Sequence, residues 1–201
     1  MKKLIFVLFF AFAFAAAFAD VDMYSLDSPT AAKAYLHKKL WSPLERDFDT
    51  DSPLILVFYA PVYHGFIWTF DTKLYLNASF VTTEGAKNLF IKNVRVQDEK
   101  GKTYFNLYID RKFEIPELTD ESLLYNKDGT AFEVDGKPLH FFSFDLGETV
   151  SGWKVGGRKT QKMKVTLRYD IDETTYTSEL DYLCKPHSFG MDDLVTLFAV
   201  P

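Results

Sequence analysis

Hydrophobic and polar positions alternate with a period of two over most of the chain beyond Pro53. The clearest case is "QKMKVTLRYDI" (161–171), where Met163, Val165, Leu167, Tyr169 and Ile171 fall on one side and Lys162, Lys164, Thr166 and Arg168 on the other. Successive side chains of a strand point to opposite faces, so this pattern predicts a strand with one buried and one wet face. "TYTSELDYL" follows across a short Asp-Glu turn and pairs with it. "NLFIKNVRVQ" and "KTYFNLYID" flank Asp98-Glu99-Lys100-Gly101, a hairpin loop with glycine where a positive φ is needed. "AFEV" and "KPLHFFSFDL" flank Asp135-Gly136, a strong two-residue hairpin signal. "LILVFYA" (54–60) is continuously apolar, as expected of a buried strand. "GFIWTF", "TKLYLNASFV" and "LVTLFAV" (194–200) complete the set of expected strands.

Upstream the period is nearer 3.6. Ser28-Pro29 offers an N-cap and a first-turn proline, "TAAKAYLHKKL" follows, and Pro43 closes the segment. These signals predict a helix over about residues 29–40. Ahead of it, Lys2 and Lys3 precede an apolar run from Leu4 to Ala19, and Ala17-Phe18-Ala19 is a small-x-small cleavage pattern. The run falls short of the ~20 residues that span a bilayer as a helix. Residues 1–19 therefore predict a cleaved signal peptide and an exported, periplasmic or extracellular product that does not span the membrane after cleavage.

Short antiparallel strands with regular turn signals, and too little helix for alternating β-α units, predict a mostly β chain. An antiparallel β-sandwich preceded by one short helix is favoured over a closed β-barrel, because uneven strand lengths and "EIPELTDESLLYNKDG" interrupt a simple meander. The expected division is an N-terminal segment over 20–52 and a single antiparallel β domain over 53–201.

Charge and cysteine content narrow the function. The net charge of −5 becomes more acidic when Lys2 and Lys3 leave with the leader, which argues against nucleic acid as a partner. A single cysteine, Cys184, allows no intramolecular disulfide, so the core alone must stabilise an exported domain. That suits a bacterial envelope.

Cys184 and His187 stand at C-x-x-H spacing without further ligands nearby, so a buried structural cysteine is the expectation and no metal site or cofactor is assigned. Asp47, Asp49 and Asp51 resemble the start of a calcium loop, but the glycine at the sixth position and the glutamate at the twelfth are missing. Asp170, Asp172 and Glu173 cluster at a turn. H-E-x-x-H, G-x-S-x-G, G-x-G-x-x-G and the P-loop spacing are absent, and no catalytic residue is assigned. Two loops combine glycine with aromatic or basic groups: Pro61–Gly65 within "FYAPVYHGFIWTF", and "SGWKVGGRKTQK" at 151–162. Aromatics and arginine carry most interface energy, so Tyr63, His64, Trp153 and Arg158 are the expected binding residues.

Together these features predict a non-enzymatic, exported β-sandwich that binds a protein or glycan of the cell envelope or serves as a structural component. A carrier of an apolar ligand is the alternative, and a hydrolase with an unrecognised site is the third reading.

Overall fold

A computed structural model of the chain describes residues 22–36, 44–59, 73–151 and 160–186. Twelve strands are defined there: β1 (Asp22–Leu26), β2 (Ala31–Tyr35), β3 (Glu45–Asp49), β4 (Leu54–Tyr59), β5 (Lys73–Thr82), β6 (Asn88–Asp98), β7 (Thr103–Glu114), β8 (Glu133–Val134), β9 (Lys137–Pro138), β10 (His140–Ser151), β11 (Gln161–Ile171) and β12 (Thr174–Pro186). All pairings are antiparallel. A five-stranded sheet runs β1-β12-β11-β6-β7, a three-stranded sheet runs β10-β5-β4, and β2-β3 and β8-β9 form two small ribbons. Among the described residues no sheet closes into a barrel. No helix there is long and apolar enough to cross a membrane.

The two larger sheets share one core. Leu89, Ile91, Val94, Val96, Met163, Val165 and Leu167 from the five-stranded sheet join Leu54, Leu56, Leu76, Ala78 and Phe80 from the three-stranded one. The Tyr182 hydroxyl on β12 donates to the Leu56 carbonyl on β4 at 2.7 Å. The rings of Phe58 and Tyr182 meet edge-on at 5.3 Å. Burial of ~25 cal/mol per Å² of apolar surface is the main term holding such layers together. The apolar run at 54–56 is explained by its second face: Ile55 is buried, as are Ser79, Val81 and Phe141 on the same side of the three-stranded sheet.

Turn chemistry follows the sequence. Asp98 Oδ1 accepts from the Lys100 and Lys102 amides, and Gly101 takes φ 78°. Asp135 and Gly136 adopt φ 52° and 74°, the mirror-image turn whose twist suits a hairpin. Asp172 takes φ 51° between β11 and β12, and its carboxylate accepts from the Lys87 and Asn88 amides.

The helix expected over about 29–40 is corrected by the structure. Residues 31–35 form β2, and residues 37–40 lie outside the described residues. Ser28 does not cap a helix; its Oγ accepts from the Thr30 amide in a tight turn. Ala-rich composition favours helix only weakly, and isolated helices this short are marginal. Pairing offers more here. Lys33 reaches Glu45 at 2.7 Å and Asp47 at 3.3 Å across the β2–β3 ladder. On the other side Tyr35 and Tyr125 exchange both backbone bonds, at 2.9 and 2.8 Å, and Ala34 is fully buried.

β1 pairs with β12 along its whole length, from Asp22↔Pro186 to Leu26↔Tyr182. The segment ahead of Pro53 thus contributes an edge strand to the main sheet.

Candidate functional site

The five-stranded sheet has one face in the core, and the other carries the candidate site. A bulge decides which residues occupy it. In the β6–β11 ladder the register steps from Tyr169↔Ile91 to Arg168↔Asn93, leaving Lys92 unpaired in the ladder. A one-residue slip exchanges faces. Leu89 and Ile91 are buried before the bulge, Val94 and Val96 after it. Asn93 and Arg95 therefore share the solvent face.

Two transverse rows then line up across four strands. The first is Asn106 (β7), Arg95 (β6), Thr166 (β11) and Glu179 (β12), paired through Arg95↔Asn106, Thr166↔Arg95 and Thr166↔Glu179. The second is Tyr108, Asn93, Arg168 and Thr177, paired through Asn93↔Tyr108, Arg168↔Asn93 and Arg168↔Thr177. These residues line an open concavity of about 370 Å³. Arg95 and Arg168 sit at opposite corners of the central square of the array. Diagonal cross-strand positions of this kind lie ~7–8 Å apart.

The electrostatics are unbalanced. Neither Arg95 nor Arg168 forms an ion pair with another described residue, whereas neighbouring cations are matched: Lys92 with Asp170 at 2.7 Å, Lys164 with Glu179 at 3.5 Å. Arg95 Nε and Thr166 Oγ1 are buried and have no hydrogen-bond partner among the described residues. Thr166 is only 7 % exposed, at the floor of the concavity. An unmade bond of this kind costs about 1–3 kcal/mol, so the folded chain retains two polar groups at a net cost. Asn93 Nδ2 donates to Asn106 Oδ1 at 3.0 Å and to the Leu107 carbonyl at 2.7 Å, which fixes both amides. Tyr108 stands at the margin, 75 % exposed.

The other reactive residues among those described make contacts within the fold. Cys184 is fully buried, facing the core from β12, and His187 lies outside the described residues. Asp49 is buried and accepts from Thr30 Oγ1 at 2.7 Å and from the Asp51 amide at 2.9 Å, clamping the turn after β3. Asp170 accepts from Thr175 Oγ1 at 2.6 Å beside its bond to Lys92. Among the described residues no group of three or more His, Cys, Asp and Glu could hold a metal ion.

Among the described residues there is one serine–histidine pair. Ser122 Oγ lies 2.8 Å from His140 Nδ1, and burial holds the His140 pKa below its ordinary value. The same oxygen is within 2.9 Å of the Thr119 carbonyl and accepts from the Thr119 amide at 3.3 Å, closing a one-turn 3-10 element at Asp120–Ser122. A nucleophile must be exposed toward a reacting atom. Ser122 is buried and held on both sides by backbone, so the pair functions as a cap.

The expected binding residues Tyr63, His64, Trp153 and Arg158 all lie outside the described residues. The array on the open sheet face is not among the sites the sequence suggests, although the alternation puts Thr166 and Arg168 together on the outward side of their strand. The available signal was arginine and asparagine at outward positions of period-two strands. No protein-family model matches the chain, and no match was found among curated proteins.

Proposed function

We propose that the chain is an exported, non-enzymatic β-sandwich of a bacterial envelope that binds a protein or glycan on the solvent face of its five-stranded sheet. The sandwich reading draws on the core shared by the two larger sheets and on the Tyr182–Leu56 bond that ties them. Export draws on the leader-like residues 1–19.

The observation that carries the binding reading is the polar concavity with two guanidinium groups over a buried Thr166 hydroxyl, all three unmatched among the described residues. Groups kept at a cost to stability are a mark of function. The concavity is lined by charged and amide side chains, which suits a polar ligand, whereas a carrier of an apolar ligand needs an apolar cavity.

The test is retention of the protein on arrayed glycans and envelope proteins, comparing the natural chain with Tyr108→Ala. Tyr108 is mostly solvent-exposed, so the substitution should leave the thermal midpoint unchanged and reduce retention several-fold. Unchanged retention by a folded Tyr108→Ala protein would move the binding site off this face.

A further inference from the structure

Resting on that reading, we infer that the solvent face of the five-stranded sheet takes an acidic sugar, a saccharide bearing a carboxylate or sulfate, with the oxyanion held between Arg95 and Arg168. A guanidinium presents a planar fork of donors matched to an oxyanion. The two arginines occupy diagonal positions on adjacent strands, so one anion set over the central square can accept from both. Thr166 lies on the same square; its hydroxyl is closed to solvent in the free chain, so it donates to that anion only when the side chains over it part. This would give Thr166 Oγ1 a partner it lacks among the described residues. Arg95 Nε, the second orphan, acquires an acceptor on the same condition.

The rest of the array suits a sugar rather than a protein. Protein interfaces gather aromatic and other apolar residues in their fully buried centre, with arginine the charged residue enriched beside them. Here the centre is Asn93, Arg95, Thr166 and Arg168, with the one large aromatic ring, Tyr108, at the edge. An exposed ring beside fixed amides and hydroxyls can stack on one face of a pyranose while the amides meet its hydroxyls. The volume of about 370 Å³ accommodates one or two sugar units. The chain's net charge of −5 opposes an anion at long range, but salt screens that field beyond ~10 Å and the contact is decided inside the array.

Calorimetric titration of the full chain with four probes tests the inference: trigalacturonate, a sulfated galactan oligosaccharide, the neutral galactose trisaccharide and penta-aspartate. The expected result is binding of at least one acidic saccharide, at least tenfold weaker binding of the neutral one, and about a tenfold loss in each of Arg95→Gln and Arg168→Gln. Thermal midpoints of both variants are recorded so that loss of fold is separated from loss of binding; if Arg95→Gln unfolds, Arg168→Gln on the more exposed position decides alone. Equal affinity for neutral and acidic saccharides, lost in Tyr108→Ala, would overturn the acidic-sugar inference and leave the binding face standing. Tighter binding of penta-aspartate would assign the face to an acidic protein and overturn it as well. No heat with any probe would refute the inference, and retention on the arrays would then judge the binding face separately.

Discussion

Replacing Thr166 by valine separates a functional polar group from a structural one. The substitution exchanges a hydroxyl for a methyl at nearly constant shape, on a central strand where valine is equally at home. Thr166 is 7 % exposed and its Oγ1 has no partner among the described residues, so the change removes a buried, unmade hydrogen bond and breaks none of those described. Leaving a hydroxyl in that state costs about 1–3 kcal/mol. Taking ~1 kcal/mol, because the open concavity leaves the site near water, and a urea m-value of ~2 kcal/mol/M, the midpoint of unfolding should rise by ~0.5 M. Urea titration followed by circular dichroism at pH 7.5 reads this directly. The same variant should bind an acidic saccharide more weakly, the opposite sign to its effect on stability. A fall in the midpoint of ~0.5 M or more would refute the reasoning, since it would mean that the hydroxyl makes a bond the fold depends on.

Three further outcomes follow from the core and its edges. His140 is held below its ordinary pKa of 6.5 by burial, so the unfolded chain takes up that proton first and stability is lost as pH falls through 6.5 toward the folded-state value. Between pH 7.5 and 5.5 the natural chain should lose more stability than His140→Gln, other groups titrating alike in both; equal losses would remove His140 from the account. Tyr182→Phe deletes the hydroxyl that reaches Leu56 and should cost about 1–2 kcal/mol by urea unfolding, and an unchanged midpoint would show that the sheets are not tied there. Cys184→Ser places a hydroxyl in a fully buried site and should cost about 1–3 kcal/mol while saccharide binding survives; loss of binding in a folded variant would give the cysteine a role it lacks here.

The strands were legible where one period governed a whole segment. In β11 the inward set Met163, Val165, Leu167 and Tyr169 is buried as its alternation required. The Asp98–Gly101 and Asp135-Gly136 turns appear because their chemistry is local. The segment at 31–35 misled because alanine and lysine suit either period, and only its partners β3 and Tyr125 decide between them. The proposed binding face was illegible for a related reason. Its rows join residues as far apart in sequence as Asn93 and Thr177, and no spacing along the chain encodes a neighbour two strands away. The bulge at Lys92 compounds this, because it shifts Asn93 and Arg95 out of phase with Leu89 and Ile91.

The central claim, that ligand meets the solvent face of the five-stranded sheet, is tested most directly by backbone amide shifts in a ¹⁵N-labelled chain titrated with trigalacturonate. The account predicts that the changes centre on Asn93, Arg95, Asn106, Tyr108, Thr166 and Arg168, across three strands and in register with the array. Changes confined to residues 61–65 and 151–162, with the array silent, would contradict it and return the binding site to the loops.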